Sequence, residues 1–189
     1  MEEEKNRLLN APNFLSLLRI LLIPVFLFLT LNRKTLEAFS VFLLAGMTDI
    51  LDGITARVWH QKTRIGSLLD PAADKLLMTT AFILLSLPSL SYPNTIPIWI
   101  TATVIGRDIL IVSGTLSISI ITGNKKFNPS LSGKLCTFSQ VMAVLFALFL
   151  NLKGISPGWM KGIFYLAFSL TLISGIQYMY LGLRILLRR

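Results

Sequence analysis

The chain has 189 residues, of which 53% are hydrophobic and only 14% are charged, and its formal net charge is +9. A soluble domain usually carries about 25% charged residues, so this composition excludes an ordinary soluble enzyme and indicates one integral membrane domain over residues 1–189. The basic residues are scattered at the ends of apolar segments. This distribution argues against a nucleic-acid partner and fits contact with the anionic headgroups of membrane lipids.

Six apolar segments follow one another along the chain, each long enough to cross about 30 Å of hydrocarbon. The predicted spans are 12–31, 36–59, 66–89, 96–121, 132–152 and 160–185. Pro, Gly, Asn and charged residues mark the breaks between them. The sequence therefore predicts an all-α fold with six transmembrane helices. We expect the first segment to be retained, because no small-residue cleavage site of a signal peptide follows it.

The loop cations predict how the chain is oriented. One side holds nine of them: Lys5, Arg7, Lys62, Arg64, Lys125, Lys126, Arg184, Arg188 and Arg189. The other side holds four: Arg33, Lys34, Lys153 and Lys161. Because cytoplasmic loops carry the excess of Lys and Arg, both termini are predicted to lie in the cytoplasm. The acidic stretch between the second and third spans then lies at the cytoplasmic end.

Arg19 is a charged residue within the first apolar segment, nine residues after Asn10. One interpretation is an N-terminal amphipathic helix that lies in the membrane interface, with the crossing starting nearer Ile20. The other is a single arginine whose long side chain snorkels to the interface. The sequence leaves both interpretations open.

The second span ends in an unusual acidic pattern. Asp49, Asp52, Gly53, Ala56 and Arg57 follow an i, i+3, i+4, i+7, i+8 spacing and therefore share one face of a helix. Acidic residues inside a membrane are costly and indicate function by default. Two carboxylates beside two small residues form a face that a ligand can approach closely.

The third span repeats this pattern at its start. Gly66, Asp70 and Asp74 are spaced at i, i+4 and i+8. Pro71 either marks a helix start, with Asp70 as the cap, or kinks the helix. A short connection makes the two helices antiparallel neighbours, so the two pairs of aspartates can face each other.

Four converging carboxylates repel each other unless cations neutralise them. All-oxygen ligation suits a hard divalent ion, Mg²⁺ or Mn²⁺. A metal pair beside an arginine is typical of phosphoryl transfer, and Arg57 is in place for that role. Two alternatives remain: a structural cluster in which Arg57 and Lys75 pair with the aspartates, and the cation pathway of a divalent-cation transporter.

The complete pattern D-x2-D-G-x2-A-R-x8-G-x3-D-x3-D, from Asp49 to Asp74, resembles the signature of the CDP-alcohol phosphotransferases. The resemblance covers essentially the whole chain. It implies that two divalent ions are held by four aspartates, of which the last also acts as the general base: Asp49, Asp52, Asp70 and Asp74. It further implies that the donor nucleotide and its phosphates contact Gly53, Ala56, Arg57 and Gly66.

The family resemblance also implies the substrates. The donor would be CDP-diacylglycerol, whose β-phosphorus is attacked by an acceptor hydroxyl so that CMP leaves. The segments NAPNFLSLLRILLIPVFLF, TRIGSLLDPAADKLL and GKLCTFSQ resemble family members that use glycerol 3-phosphate as acceptor. The segments IGRDILI and FNPSLSGK resemble members that use phosphatidylglycerol and form cardiolipin. Glycerol 3-phosphate is the predicted acceptor, in a homodimer of a bacterial-type inner membrane with a cytoplasmic active site.

An anionic acceptor requires cations near the aspartates. Arg107 in the fourth span and Lys134 at the start of the fifth are predicted to bind the acceptor phosphate. The alternative for Arg107 is pairing with an acid such as Asp108, and the alternative for Lys134 is snorkelling. Thr137 and Gln140 share the face of Lys134 and either contribute to this site or form hydrogen bonds between helices.

Overall fold

A computed structural model describes the backbone of residues 11–59, 66–122 and 131–187, and within it the side chains of residues 17–48, 71–117 and 131–184. These residues form six helices and no strand, which confirms the all-α prediction. The helices are α1 (Ala11–Leu31), α2 (Thr35–Trp59), α3 (Gly66–Leu85), α4 (Ile98–Thr122), α5 (Leu131–Lys153) and α6 (Trp159–Leu187).

The predicted span ends agree with the helix ends to within two residues, except at the end of α3. This helix stops at Leu85 rather than at residue 89. Pro88 has no N–H with which to continue the helix, and it disfavours the helical conformation of the residue before it. The chain therefore leaves the helix before the proline, and the prediction was four residues too long.

The helix-start interpretation of Pro71 is wrong, because α3 begins at Gly66 and continues through the proline. A proline inside a helix removes one backbone hydrogen bond, and the packing of the apolar remainder of α3 compensates for it. Asp70 therefore lies inside the helix and is not its N-cap. The alternative, a kink at Pro71, stays a prediction.

Two helices end in the same kind of turn at one end of the bundle. Arg33 after α1 has a φ of 57° and Gly154 after α5 has a φ of 65°. The N–H of Lys34 donates to the carbonyl of Leu29 at 2.9 Å, and the N–H of Ile155 donates to that of Leu150 at 3.0 Å. In both turns an N–H donates to the carbonyl five residues earlier, as in a Schellman motif. This bond satisfies a carbonyl that the end of the helix would leave without a partner.

The apolar core lies near this same end. Its largest members include Phe26 of α1, Phe42 of α2, Phe82 of α3, Ile100 of α4, Val144 of α5 and Phe164 of α6. The rings of Phe26 and Phe42 lie 5.6 Å apart. Helix α1 packs on α2 and α3, α6 packs on α4 and α5, and α5 also contacts α2 and α3, so one core joins all six helices.

Buried amides hold the loop between α3 and α4 against the end of α5. The side-chain oxygen of Asn151 accepts from the backbone N–H of Asn94 at 2.7 Å and from its side-chain amide at 2.9 Å. The amide nitrogen of Asn151 donates to the hydroxyl of Ser91 at 2.9 Å. Ser91 and Asn94 are both buried, so this network fixes a loop that apolar packing alone would leave without hydrogen-bond partners.

The described side chains present an apolar outer surface. Among the described residues, three helical stretches are long and apolar enough to cross a membrane: Ile98–Ser117, Leu131–Lys153 and Trp159–Arg184. Phe28 and Phe138 are each 63% exposed on this surface. Such extensive exposed apolar surface is typical of contact with lipid and not with water. The structure thus has the surface of a membrane protein.

Candidate functional site

The backbone carries the acidic motif on two successive helices. Asp49 and Asp52 belong to the last part of α2, and Asp70 and Asp74 belong to the first part of α3. Both helices pack against α1. Most side chains of the predicted metal and nucleotide sites lie outside the described residues: Asp49, Asp52, Gly53, Ala56, Arg57, Gly66 and Asp70. Their roles therefore stay predictions, and Asp74 is the motif residue whose side chain is described.

Asp74 forms an ion pair with Arg19 of α1. Nη1 of Arg19 donates to Oδ1 of Asp74 at 2.5 Å. The arginine side chain is fully buried, whereas the carboxylate side chain is 44% exposed. The snorkelling interpretation of Arg19 is therefore wrong, because the guanidinium finds an opposite charge inside the bundle and does not reach for the interface.

Arg19 was not predicted as a partner of the acidic motif. The available signal was one charged residue in an otherwise apolar span, which implies a buried partner of opposite charge. The choice of partner depends on how α1 packs on α3, and 55 residues separate the two side chains in sequence.

A second ionic cluster joins α3 to α4. Nζ of Lys75 donates to Oδ1 of Asp108 at 2.6 Å, and Nη1 of Arg107 donates to the same oxygen at 2.8 Å. The alternative in which Arg107 pairs with Asp108 is thus confirmed. The described partner of Lys75 is Asp108 and not the acidic motif to which the structural-cluster interpretation assigned it.

Arg107 is also held by α6. Its Nη2 donates to the hydroxyl of Ser174 at 2.6 Å, and its guanidinium carbon lies 5.8 Å from the ring centre of Tyr178. The side chain is 7% exposed. Among the described residues, Nε of Arg107 has no hydrogen-bond partner. The guanidinium is therefore fixed in position and retains a donor.

A cavity of about 600 Å³ opens beside this cluster. It is bounded by Pro71 and Lys75 of α3, Arg107 and Asp108 of α4, Lys134 of α5 and Tyr178 of α6. The structure therefore brings Arg107 and Lys134 to one cavity, as a shared binding site requires. Among the described residues that line it, three are cations and one is a carboxylate, a charge balance that favours an anion. That this anion is the acceptor phosphate stays a prediction.

The two polar neighbours of Lys134 behave differently. Nε2 of Gln140 donates to the hydroxyl of Thr171 on α6 at 3.0 Å, which confirms a hydrogen bond between helices. The hydroxyl of Thr137 donates to the carbonyl of Gly133 within α5 at 3.1 Å, and its side chain borders the cavity. Gln140 therefore holds α5 to α6, and Thr137 remains a candidate for ligand contact.

Comparison with known proteins identifies the family to which the sequence is similar. Residues 9–174 match the CDP-alcohol phosphatidyltransferase family. The chain is 33% identical over 178 residues to the CDP-diacylglycerol–glycerol-3-phosphate 3-phosphatidyltransferase of Escherichia coli K12, covering 90% of this chain and 93% of that protein. It is 45% identical over 103 residues to a CMP-forming cardiolipin synthase of Rattus norvegicus and 42% identical over 103 residues to that of Homo sapiens. These two matches cover 54% of this chain but only 32% and 33% of the longer synthases.

The buried pair between α1 and α3 predicts a stability change. Arg19→Met should lower the free energy of unfolding by about 2 kcal/mol, because it removes a charged hydrogen bond to Asp74 in a largely buried setting. Arg19→Lys should recover part of the loss. Thermal unfolding in detergent measures the effect, with the exposed Lys34→Met as the control. Equal melting temperatures for Arg19→Met and Lys34→Met would show that the pair does not stabilise the bundle.

Proposed function

The chain belongs to the CDP-alcohol phosphatidyltransferase family, and we propose that it transfers the phosphatidyl group of CDP-diacylglycerol to glycerol 3-phosphate, giving phosphatidylglycerophosphate and CMP. The observation that carries this proposal is the cationic cavity next to the acidic motif. Lys75, which lines it, directly follows Asp74, and Arg107 and Lys134 complete its positive lining. A phosphate-bearing acceptor bound there would contact α3, the helix that also carries Asp74.

The proposed molecule is a single domain of residues 1–189 that crosses a bacterial-type inner membrane six times. The three long apolar helices and the exposed apolar surface support this arrangement. The amino-terminal part of α1 is proposed to lie in the interface as an amphipathic helix. The excess of loop cations at one end supports cytoplasmic termini and a cytoplasmic active site. The proposed assembly is a homodimer, which rests on the family resemblance alone.

The proposed metal site fits the chemistry of its residues. Asp49, Asp52, Asp70 and Asp74 offer only carboxylate oxygens, the donors that Mg²⁺ and Mn²⁺ prefer. The one described carboxylate, that of Asp74, is 44% exposed and thus accessible to a ligand. Two such ions, when bound, would neutralise the diphosphate of the donor and stabilise the leaving phosphate.

The proposed transfer uses Asp74 as the general base. Its carboxylate takes the proton of the acceptor hydroxyl while the hydroxyl oxygen bonds to the β-phosphorus of CDP-diacylglycerol. The bond from that phosphorus to the bridging oxygen breaks, and CMP leaves with the electron pair. Arg19 holds the carboxylate of Asp74 in position through its hydrogen bond to Oδ1. Gly53, Ala56, Arg57 and Gly66 are proposed to bind the donor nucleotide and its phosphates.

Phosphatidylglycerol is the second candidate acceptor. The 45% identity to a cardiolipin synthase over 103 residues favours it. So do exposed apolar side chains at the edge of the cavity: Val112 is 51% exposed and Phe138 is 63% exposed. A lipid acceptor could place its acyl chains there. The family match supports either transfer over the divalent-cation transporter that the acidic residues alone would allow.

The acceptor can be identified directly. Purified protein in detergent with CDP-diacylglycerol and Mg²⁺ should release CMP when glycerol 3-phosphate is added. Release only with phosphatidylglycerol would transfer the assignment to cardiolipin synthesis. No release with either acceptor, together with uptake of divalent ions by proteoliposomes, would replace the enzyme with a transporter.

The role of Asp74 predicts a loss of turnover in protein that still folds, although the loss of the charge opposite the buried Arg19 should also lower its melting temperature. Asp74→Asn should reduce kcat by at least about 10²-fold, because a neutral amide cannot accept the proton of the attacking hydroxyl. The matched control is Glu37→Gln, an exposed acid of α2 at the opposite end of the bundle. CMP release and thermal unfolding measure the two properties. A near-normal rate for Asp74→Asn would remove Asp74 as the base.

The cationic lining predicts a selective effect on the acceptor. Arg107→Ala and Lys134→Ala should each raise the KM for glycerol 3-phosphate about 10-fold and the KM for CDP-diacylglycerol much less, because each removes a charged donor to the acceptor phosphate. Lys161→Ala is the control, since this exposed lysine begins α6 at the far end of the bundle. If both cavity variants keep the wild-type dependence on acceptor concentration, the anion site lies elsewhere.

A further inference from the structure

Asp108 is the one acid among the described residues that line the cavity, and no step of the proposed transfer uses it. It borders the cavity together with Lys75, Arg107 and Lys134. Its side chain is 12% exposed. A carboxylate in this position reduces the attraction of the cavity for an anionic acceptor. Its ion pairs with Lys75 and Arg107 account for one of its two oxygens.

The hydrogen bonds of Asp108 are concentrated on one of its two oxygens. Lys75 and Arg107 both donate to Oδ1, at 2.6 and 2.8 Å. No described residue donates to Oδ2. A carboxylate can accept about four hydrogen bonds, and those to Asp108 use two of them. Oδ2 therefore has the capacity to accept a hydrogen bond from a ligand in the cavity.

The rest of the cluster keeps the carboxylate in place. Lys75 fixes it from α3, and Arg107 is itself anchored on α6 through the hydroxyl of Ser174. A hydrogen-bond acceptor held by two cations is rigid, which is what selective recognition of a hydroxyl requires. Lys134 lines the same cavity and can donate to a phosphate there.

We propose that Asp108 accepts a hydrogen bond from the second hydroxyl of a glyceryl acceptor, the hydroxyl next to the one that reacts. The inference rests on the proposed function and adds the chemical group that the site selects. Glycerol 3-phosphate and the headgroup of phosphatidylglycerol both carry this hydroxyl beside a phosphate. The cations then bind the phosphate, and Asp108 distinguishes a glyceryl group from a simple alkyl alcohol.

The test compares acceptors with and without this hydroxyl. In the first arm, CMP release is measured with glycerol 3-phosphate and with 3-hydroxypropyl phosphate. In the second arm, phosphatidylglycerol is compared with its analogue that has a propane-1,3-diol headgroup. Wild-type protein should prefer the glyceryl acceptor by about 10- to 100-fold in kcat/KM, the range expected for a hydrogen bond to a charged group. The arm that releases CMP identifies the acceptor class.

Variants separate recognition from general support of the cavity. Asp108→Ala should lower kcat/KM for the glyceryl acceptor much more than kcat/KM for the analogue, so that the preference falls to about 1 to 3. Ser174→Ala removes a hydrogen bond to Arg107 but keeps the carboxylate of Asp108. It should lower kcat/KM for the glyceryl acceptor and for the analogue by the same factor. Asp108→Glu keeps the charge and should retain part of the preference.

Three results would overturn the inference. The first is a wild-type protein that uses the glyceryl acceptor and its analogue equally well, a result that needs no variant. Equal losses on both acceptors in Asp108→Ala would show that Asp108 only supports the cavity. The absence of CMP release with either glyceryl acceptor would overturn the proposed function as well. The first two results, in contrast, would overturn only the role of Asp108.

Discussion

A charged side chain inside an apolar bundle needs a partner of opposite charge. Helix α3 contributes one residue to each of two such ion pairs. Asp74 binds Arg19 of α1, and the next residue, Lys75, binds Asp108 of α4. Successive residues of a helix point about 100° apart, so two neighbours in sequence can serve two different helices. The position of α3 relative to α1 and α4 is thus set by charge at this end of the bundle.

The opposite end is held by different forces. There the core is built from aromatic and branched side chains, and the loop after α3 is fixed by the amides of Asn94 and Asn151. These contacts are neutral, and they stabilise the bundle through packing and hydrogen bonds. The division lets one end carry charges that are costly to bury while the other end supplies the packing that tolerates them.

The sequence predicted the six helices well because the length of each apolar run and the Pro, Gly and charged breaks report local properties. It failed at Leu85, where the helix ends before Pro88, a residue that the predicted span had included. It also gave no indication that Arg33 adopts a left-handed conformation, because that depends on how α1 turns into α2. Local patterns set the elements, whereas their exact ends follow from individual hydrogen bonds.

The site was predictable only as far as its residues are close in sequence. The spacing from Asp49 to Asp74 and the Arg107–Asp108 neighbours could be read directly. The Lys75–Asp108 bond could not, since 33 residues separate its partners and the bond depends on the packing of α3 against α4. For the same reason the sequence did not show that Arg19 pairs with Asp74 of the acidic motif.

The cluster on α4 shows how a membrane protein can keep cations ready for an anionic ligand. Lys75 and Arg107 would be costly to hold in a largely apolar setting without an opposite charge. Asp108 provides that charge through a single oxygen, so both cations are compensated while their summed charge still exceeds its own. With Lys134 the lining remains positive. One carboxylate thus makes the unliganded cavity stable, and because it uses only half of its bonding capacity to do so, it leaves the other half for recognition.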